Sequence, residues 1–373
     1  MAAAAAPAAA PIPLLVADRG LGIWLLGVSG AVFGMVVLGG VTRLTRSGLS
    51  MVDWRPQGSM LPSTDDAWTI EFEKYKQFPE YKRLNIGMTL DEFKKIYFME
   101  WLHRMWGRGL GVIFGLPLIY FVASGRVGRL PGMAPKLAGL FLLGGGQGLV
   151  GWWMVRSGLE EPEHHYKEPR VSPYRLTAHL VVALAVYSGL FWTGLTALNP
   201  NAFALESVSK AVSKMRRKGL VALLLTGVTF VSGAFVAGND AGHAYNDWPL
   251  FAGELIPNEI WDNSLVPAWR NFFENTATVQ FDHRQLAYLT LLATIGTWVM
   301  ARRPATWSRL AGPAQTSYKL MLAAVLGQVT LGITTLMLFV PVSIASLHQA
   351  GALTLWSTML YSQHTLRFAR MLK

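Results

Sequence analysis

Eight stretches of about twenty mostly apolar residues succeed one another along this chain, and nothing else in it limits the fold so strongly. They lie at about Ile23–Val41, Met99–Val122, Pro135–Met154, Tyr174–Leu195, Gly219–Val236, His283–Met300, Ser317–Phe339 and Val342–Leu360. A helix of that length crosses about 30 Å of hydrocarbon, where every backbone polar group must find its partner inside the segment. The reading is therefore an all-α membrane protein with eight transmembrane helices and lipid as its first partner. Hydrophobic residues at 52% against 15% charged, and a mean hydropathy of +0.32, agree. There are no cysteines, which removes disulfides, thiolate ligands, iron–sulfur clusters and cysteine nucleophiles. Any metal is left to histidine, carboxylate or methionine. The formal charge of +11 does not mark a nucleic-acid binder, because the basic residues are spread over the connections rather than gathered in a soluble domain.

Residues 1–20 open with an Ala/Pro tract of low complexity, read as disordered, without the repeated arginines of a transit peptide or the cleavage pattern of a secretory signal. That is consistent with a processed or trimmed form. The segment from about Leu44 to Tyr97 carries Trp54, Trp68 and mixed charges, which predicts a folded loop with short helices. Charge orients the helices. Lys210, Lys214, Arg216, Arg217 and Lys218 face one acid in the connection 199–218, and Arg302, Arg303, Arg309, Lys319, Arg367, Arg370 and Lys373 mark the same side. The connection 238–282 has seven acids against Arg270. Basic connections belong inside, so both termini are expected on the inner side and the two long loops on the outer side.

The chain is an internal duplication. Ser47-Gly48, Asp53-Trp54 and Leu61-Pro62 correspond to Ala241-Gly242, Asp247-Trp248 and Ile256-Pro257, and the segment Gln147–Gly151 to Gln328–Gly332. This predicts two pseudo-symmetric four-helix bundles, residues 21–200 with the long outer loop and residues 219–373, joined by an inner basic linker at 201–218. His103, His179, His283 and His348 each fall near the start of an even-numbered span, at similar depth toward the outer face. Two facing histidines per bundle suit the iron of a flat macrocycle, so the pattern points to two haem sites. Gly107, Gly109, Gly111, Gly144 to Gly146 and Gly351 are candidates for leaving room for the ring, or for helix packing. His164, His165, His243 and His364 do not share the pattern and are read as solvated or interfacial.

Glu100 against Gln280 is the informative difference between the halves. Three residues before His103, the carboxylate shares its helical face, and it is costly in a membrane unless paired or used. It is either an ion-pair partner of Arg104 or a group that acts in chemistry. Because Arg284 stands opposite Gln280 without an acid, the second reading is preferred: one site reacts and the other serves it. Arg43, Arg46, Arg104, Arg108 and Arg284 are candidates for haem propionates or for interfacial snorkelling.

The stretches Gly39–Thr45, Ser47–Trp54, Phe98–Arg108, Phe235–Gly238 and Val279–Arg284 resemble the haem A synthase family, of mitochondrial and alphaproteobacterial type, from about Trp24 to Leu366. The resemblance implies oxidation of a methyl group of haem O to a formyl group, giving haem A for cytochrome c oxidase. It implies substrate haem at His103 and His179, with Arg43 and Arg104 beside it and Glu100 as the catalytic carboxylate. It implies a resident haem b at His283 and His348, with Arg284 beside it. Implied partners are the haem O-producing enzyme and an electron-transfer partner, with homo-oligomerisation open. The implied place is the mitochondrial inner membrane with both termini in the matrix, or alternatively a bacterial inner membrane. Some bacterial members carry a cysteine pair in the outer loops, which this chain lacks. A di-haem b-type electron-transfer protein without haem-modifying activity is the alternative; a repeat-built transporter and a cofactor-free scaffold fit the histidines less well.

Overall fold

The computed structural model describes residues 15–162, 168–200 and 210–368. The chain forms α1 (Arg19–Leu44), α2 (Asp65–Tyr75), α3 (Pro79–Leu84), α4 (Leu90–Ala123), α5 (Met133–Leu159), α6 (Pro173–Leu198), α7 (Lys210–Gly238), α8 (Asn271–Glu274), α9 (Thr276–Arg302), α10 (Pro304–Trp307), α11 (Gly312–Met337) and α12 (Val342–Thr365). Among the described residues there is one isolated β-bridge, Phe251 with Glu254, and otherwise helix and loop. Eight helices run 24 to 34 residues. Six of them, α1, α4, α5, α6, α7 and α11, are long and apolar enough to cross a membrane. Helices α9 and α12 have the length but more polar sequences, and much of that polarity faces inward: Gln280, Arg284, Thr290, Thr294 and Thr297 on α9, and Ser346, Ser362, Gln363 and Thr365 on α12, are buried.

Helix α4 starts at Leu90, about two turns before the predicted span. Thr89 and Glu92 form a reciprocal capping box there, satisfying backbone N–H groups that would otherwise be orphaned. Hydropathy does not register such a polar extension. In the first half α1 packs along α4 and α6, and α5 along α6; in the second, α7 packs on α9, and α11 on α12 and α9. The halves meet through α1 with α12, and α6 with α7. One apolar core runs across that seam, with Val32, Val36, Leu184 and Tyr187 in the same cluster as Phe230 and Leu353. Asp240, after α7, receives Arg43 at 2.8 Å, Arg170 at 3.3 Å and Arg46 at 3.8 Å, so the two long loops share one end of the molecule.

The expected folded loop is present. Phe72 and Tyr75 of α2, Phe93 and Tyr97 of α4 and Met51 form a buried cluster with Trp68, Tyr81 and Trp101 around it. Inside it Asn85 donates to Tyr75 Oη (2.7 Å), which donates to the carboxylate of Glu80 (2.8 Å). Glu80 is 5% exposed. Burial pushes its carboxyl up to about 7, against the hydrogen bond from Tyr75, while Glu100 raises it and Arg46 and Arg43 lower it electrostatically. Because the folded state holds this proton and the unfolded state releases it near 4.5, stability is greatest below pH 4.5 and falls as pH rises through about 7. The full effect is about 3 kcal/mol. Glu80→Gln is expected to remove that decline in thermal melts between pH 5 and 8; an unchanged pH slope would show that Glu80 titrates normally.

The N-terminal tract expected to be disordered lies mostly outside the described residues, as do His164, His165, residues 201–209 of the linker, Arg370 and Lys373. His364, expected at a solvated or interfacial position, is instead buried at 2%, edge-on to Trp192 with its Nε2 3.2 Å from Thr196 Oγ1. The α6–α12 contact closes over it, which the local sequence could not indicate. His243 is exposed, as expected.

Candidate functional site: two glycine-seated histidine pairs

Each of the four histidines lies against a glycine of a neighbouring helix. A Cβ placed on Gly39 (α1) would stand 2.9 Å from Cε1 of His103 (α4), and one on Gly151 (α5) 2.9 Å from Cε1 of His179 (α6). In the second half the same construction puts Gly233 (α7) 3.1 Å from His283 (α9) and Gly332 (α11) 2.9 Å from His348 (α12). Gly151 and Gly332 occupy equivalent places in the repeat, as do Gly39 and Gly233 when the Ser47–Ala241 alignment is extended backward. Only the absence of a side chain lets an imidazole edge approach a helix backbone this closely. The seats hold each ring at a defined depth and rotation. His103 lies near His179, and His283 near His348, so each half brings its own two histidines together.

The glycines named from sequence have other surroundings. A Cβ on Gly109, Gly111, Gly144, Gly145 or Gly146 would meet nothing among the described residues, so these five border open space beside the sparsely touching α4 and α5. Gly107 faces Met35, and the space at Gly351 is taken by the Gln328 side chain.

The ring nitrogens test whether these pairs suit haem iron. In the second half Ser232 Oγ lies 2.8 Å from His283 Nδ1, and the Gln328 amide 3.1 Å from His348 Nδ1. Turning that amide over brings its otherwise unpartnered Oε1 to the ring, where it accepts from Nδ1–H and leaves the Nε2 lone pair for a metal. In the first half Nδ1 of both His103 and His179 is buried without a partner among the described residues, and Gln147 Nε2 donates to the His179 backbone carbonyl at 2.9 Å and lies 3.4 Å from His179 Nε2. Leu38 stands where the second half has Ser232. Paired half-buried imidazoles of this kind fit a bis-histidine haem, with Nδ1 anchored in the second pair and not in the first.

One turn from the first pair, Glu100 is 2% exposed and accepts three hydrogen bonds: Ser50 Oγ (2.7 Å) and Met51 N (2.7 Å) at Oε2, and Arg104 (2.6 Å) at Oε1. Arg104 also donates to the carbonyls of Met51 and Asp53. The ion pair considered from sequence is thus present. Arg284, expected to stand without an acid, is not without an equivalent: Gln280 Oε1 accepts from it at 2.7 Å in the same way, because an amide carbonyl can stand in for the carboxylate. The halves differ elsewhere. Gln280 Nε2 donates to the carbonyls of Ala241 and Tyr245, whereas Glu100 accepts from N–H and O–H, so the two loops present opposite polarity. Arg108 is held by the carbonyls of Arg104, Arg55 and Pro56. Arg284 lies over the Phe251 ring at 4.0 Å. Nε of Arg43 and of Arg284 is buried without a hydrogen-bond partner among the described residues, while their terminal nitrogens are held by Asp240 and by Leu250, Tyr245 and Gln280. A cavity of about 380 Å³ opens beside Trp101, Arg104 and Arg108.

Sequence reasoning identified all four histidines but not their glycine seats, nor Ser232 and Gln328 as anchors; the repeat Gln147–Gly151/Gln328–Gly332 was the available signal. An all-helical, multi-pass membrane protein with two internally repeated histidine pairs is the class that fold and site define. Residues 22–360 match the COX15-CtaA family, described as cytochrome oxidase assembly protein. The chain belongs to that family. Among its relatives are heme A synthase COX15 of Arabidopsis thaliana (52% identical, covering 94% of this chain and 75% of that one), heme A synthase of Rhodospirillum centenum (46%; 97% and 92%) and heme A synthase COX15 of Saccharomyces cerevisiae (42%; 95% and 76%).

Proposed function

We propose that the protein is a haem A synthase that oxidises a methyl group of haem O to a formyl group, supplying haem A for cytochrome c oxidase. The observation that carries this reading is the repeated seating of two half-buried histidines per half against helix glycines, joined to a family whose members are named for that activity. All eight long helices cross the inner membrane in two four-helix bundles, 21–200 and 219–373, joined at 201–218. Both termini lie in the matrix if the membrane is mitochondrial. His103 and His179 hold the substrate haem; His283 and His348, with firmer Nδ1 anchors, hold haem b. Arg43 and Arg284 supply positive charge for the propionates.

When bound, haem b supplies a one-electron relay. The chain's own residues do the rest. The glycine seats fix the imidazoles and so the depth of the substrate ring. Glu100 has three of the about four acceptor positions of a carboxylate filled, leaving Oε1 one position to take a proton released from the methyl group or to face positive charge developing there. Arg104, tied to two carbonyls as well as to Glu100, holds that oxygen in place.

The test is to purify the protein from cells that make haem O and to identify the extracted haems by chromatography and mass. Haem b together with haem O and haem A is expected. Haem b alone, in stoichiometry with both sites, would establish the electron-transfer alternative. The haem O-producing enzyme and an electron acceptor are the partners this chemistry requires.

A further inference from the structure

The two histidine pairs are joined by a contact in which the internal symmetry is broken. Gln349 directly follows His348 on α12, and its Nε2 donates to the carbonyl of Val36 on α1 at 3.0 Å, across the seam between the halves. Its amide rests on the bare Cα of Gly40: a Cβ there would overlap the amide oxygen and stand 2.6 Å from Cδ. Gly40 in turn directly follows Gly39, the seat of His103. Five residues, His103, Gly39, Gly40, Gln349 and His348, therefore connect one site to the other with no intervening side chain. At the equivalent places of the repeat stand Leu180, after His179, and Ala234, after Gly233. Leu180 packs against the apolar core, so the reverse connection is not polar. Val36 is itself buried. A glutamine amide half-buried in an apolar helix seam is costly unless its hydrogen bond is made, and here the bond is made to the other half.

We propose that Gln349 is a positioning residue that locks the seat of the first histidine pair to the second, setting the separation and relative orientation of the two haems. This rests on the reading of both pairs as haem sites. A displacement of α12 at His348 is passed through the amide to Gly40 and Gly39, and so to His103. The Gly39-Gly40 pair serves both purposes at once, one glycine receiving the imidazole and the next the amide. The two packed arrangements are coupled because neither contact has slack to absorb a shift of the other.

The experiment uses the haem-loaded full chain and compares Gln349→Leu, Gly40→Ala and the double variant Gly40→Ala/Gln349→Ala by haem content, reduction potentials and low-spin haem signals. Gln349→Leu, which copies Leu180, adds no bulk beyond the wild type and is expected to keep both haems while moving the potential and signal of both. Gly40→Ala is expected to lower occupancy of the first pair about tenfold, and Gln349→Ala in the same chain to restore most of it by clearing the space the methyl needs. A shift confined to the second haem in Gln349→Leu, or a double variant no better than Gly40→Ala alone, would overturn the proposal. Unmutated protein carrying no bis-histidine haem signal would instead remove the haem reading beneath it.

Discussion

Replacing Gly332 by alanine is expected to lower haem occupancy at the second histidine pair by about 10- to 100-fold while the first pair is left filled. The added methyl carbon would stand 2.9 Å from His348 Cε1, closer than side-chain carbons are found to ring atoms. Helix α11 cannot retreat easily, since it packs along both α12 and α9. The ring must therefore rotate, and rotation takes Nδ1 away from Gln328 and misdirects the Nε2 lone pair. Gly327→Ala on the same helix is the control, because a Cβ there meets nothing; it is expected to be neutral or stabilising by about 0.5–1 kcal/mol. Quantifying haem per protein in both variants checks the pair. Equal haem content in the two would show that the glycine seat is incidental. Gly151→Ala should act likewise on the first pair, where the methyl would again be 2.9 Å from the imidazole of His179.

Glu100→Gln is expected to abolish haem A formation and leave haem O bound, although the second half carries glutamine at this place. The substitution does not simply copy Gln280. The loop offers Glu100 the N–H of Met51, so an amide oriented to accept from Arg104 turns its own NH2 group toward that donor, although the Ser50 hydroxyl can turn to Ser47 O and accept. Gln280 avoids this because its loop offers the carbonyls of Ala241 and Tyr245. A local destabilisation of about 1–3 kcal/mol should accompany the loss of activity. Glu100→Ala should cost more, since it removes all three of these hydrogen bonds and leaves Arg104 only the carbonyls of Met51 and Asp53. Ser50→Ala separates the two effects: it removes one of the donors, keeps the carboxylate and is expected to retain haem A production. Extracted haems and thermal melts measured side by side decide the matter. Normal haem A in Glu100→Gln would reduce Glu100 to a structural partner of Arg104.

The class of fold was present in the sequence because burial in lipid leaves so few solutions. Long apolar runs must be helices, and a duplicated pattern of histidines at matching depths must converge twice. The resemblance carried by Gly39–Thr45, Phe98–Arg108 and Val279–Arg284 and the later family match concern the same stretches. Spans are also read at α9 and α12, but these are the more polar helices, with Thr290, Thr294 and Gln363 turned inward on a face that average hydropathy cannot see. Tertiary structure decided what each side chain touches. Gly39 and Gly332 look like any membrane-helix glycines until the neighbouring helix sets an imidazole against them, and Gly144 until it is found facing open space. His364 reads as a tail residue but is enclosed by Trp192. Gln280 appears to leave Arg284 unattended, yet one amide oxygen does for it what Glu100 does for Arg104. Depth and element type follow from local composition, which the chain carries with it. Partnership depends on which helices lie side by side and how each is rotated, and that is settled only when residues as far apart in the sequence as Val36 and Gln349 are brought into contact.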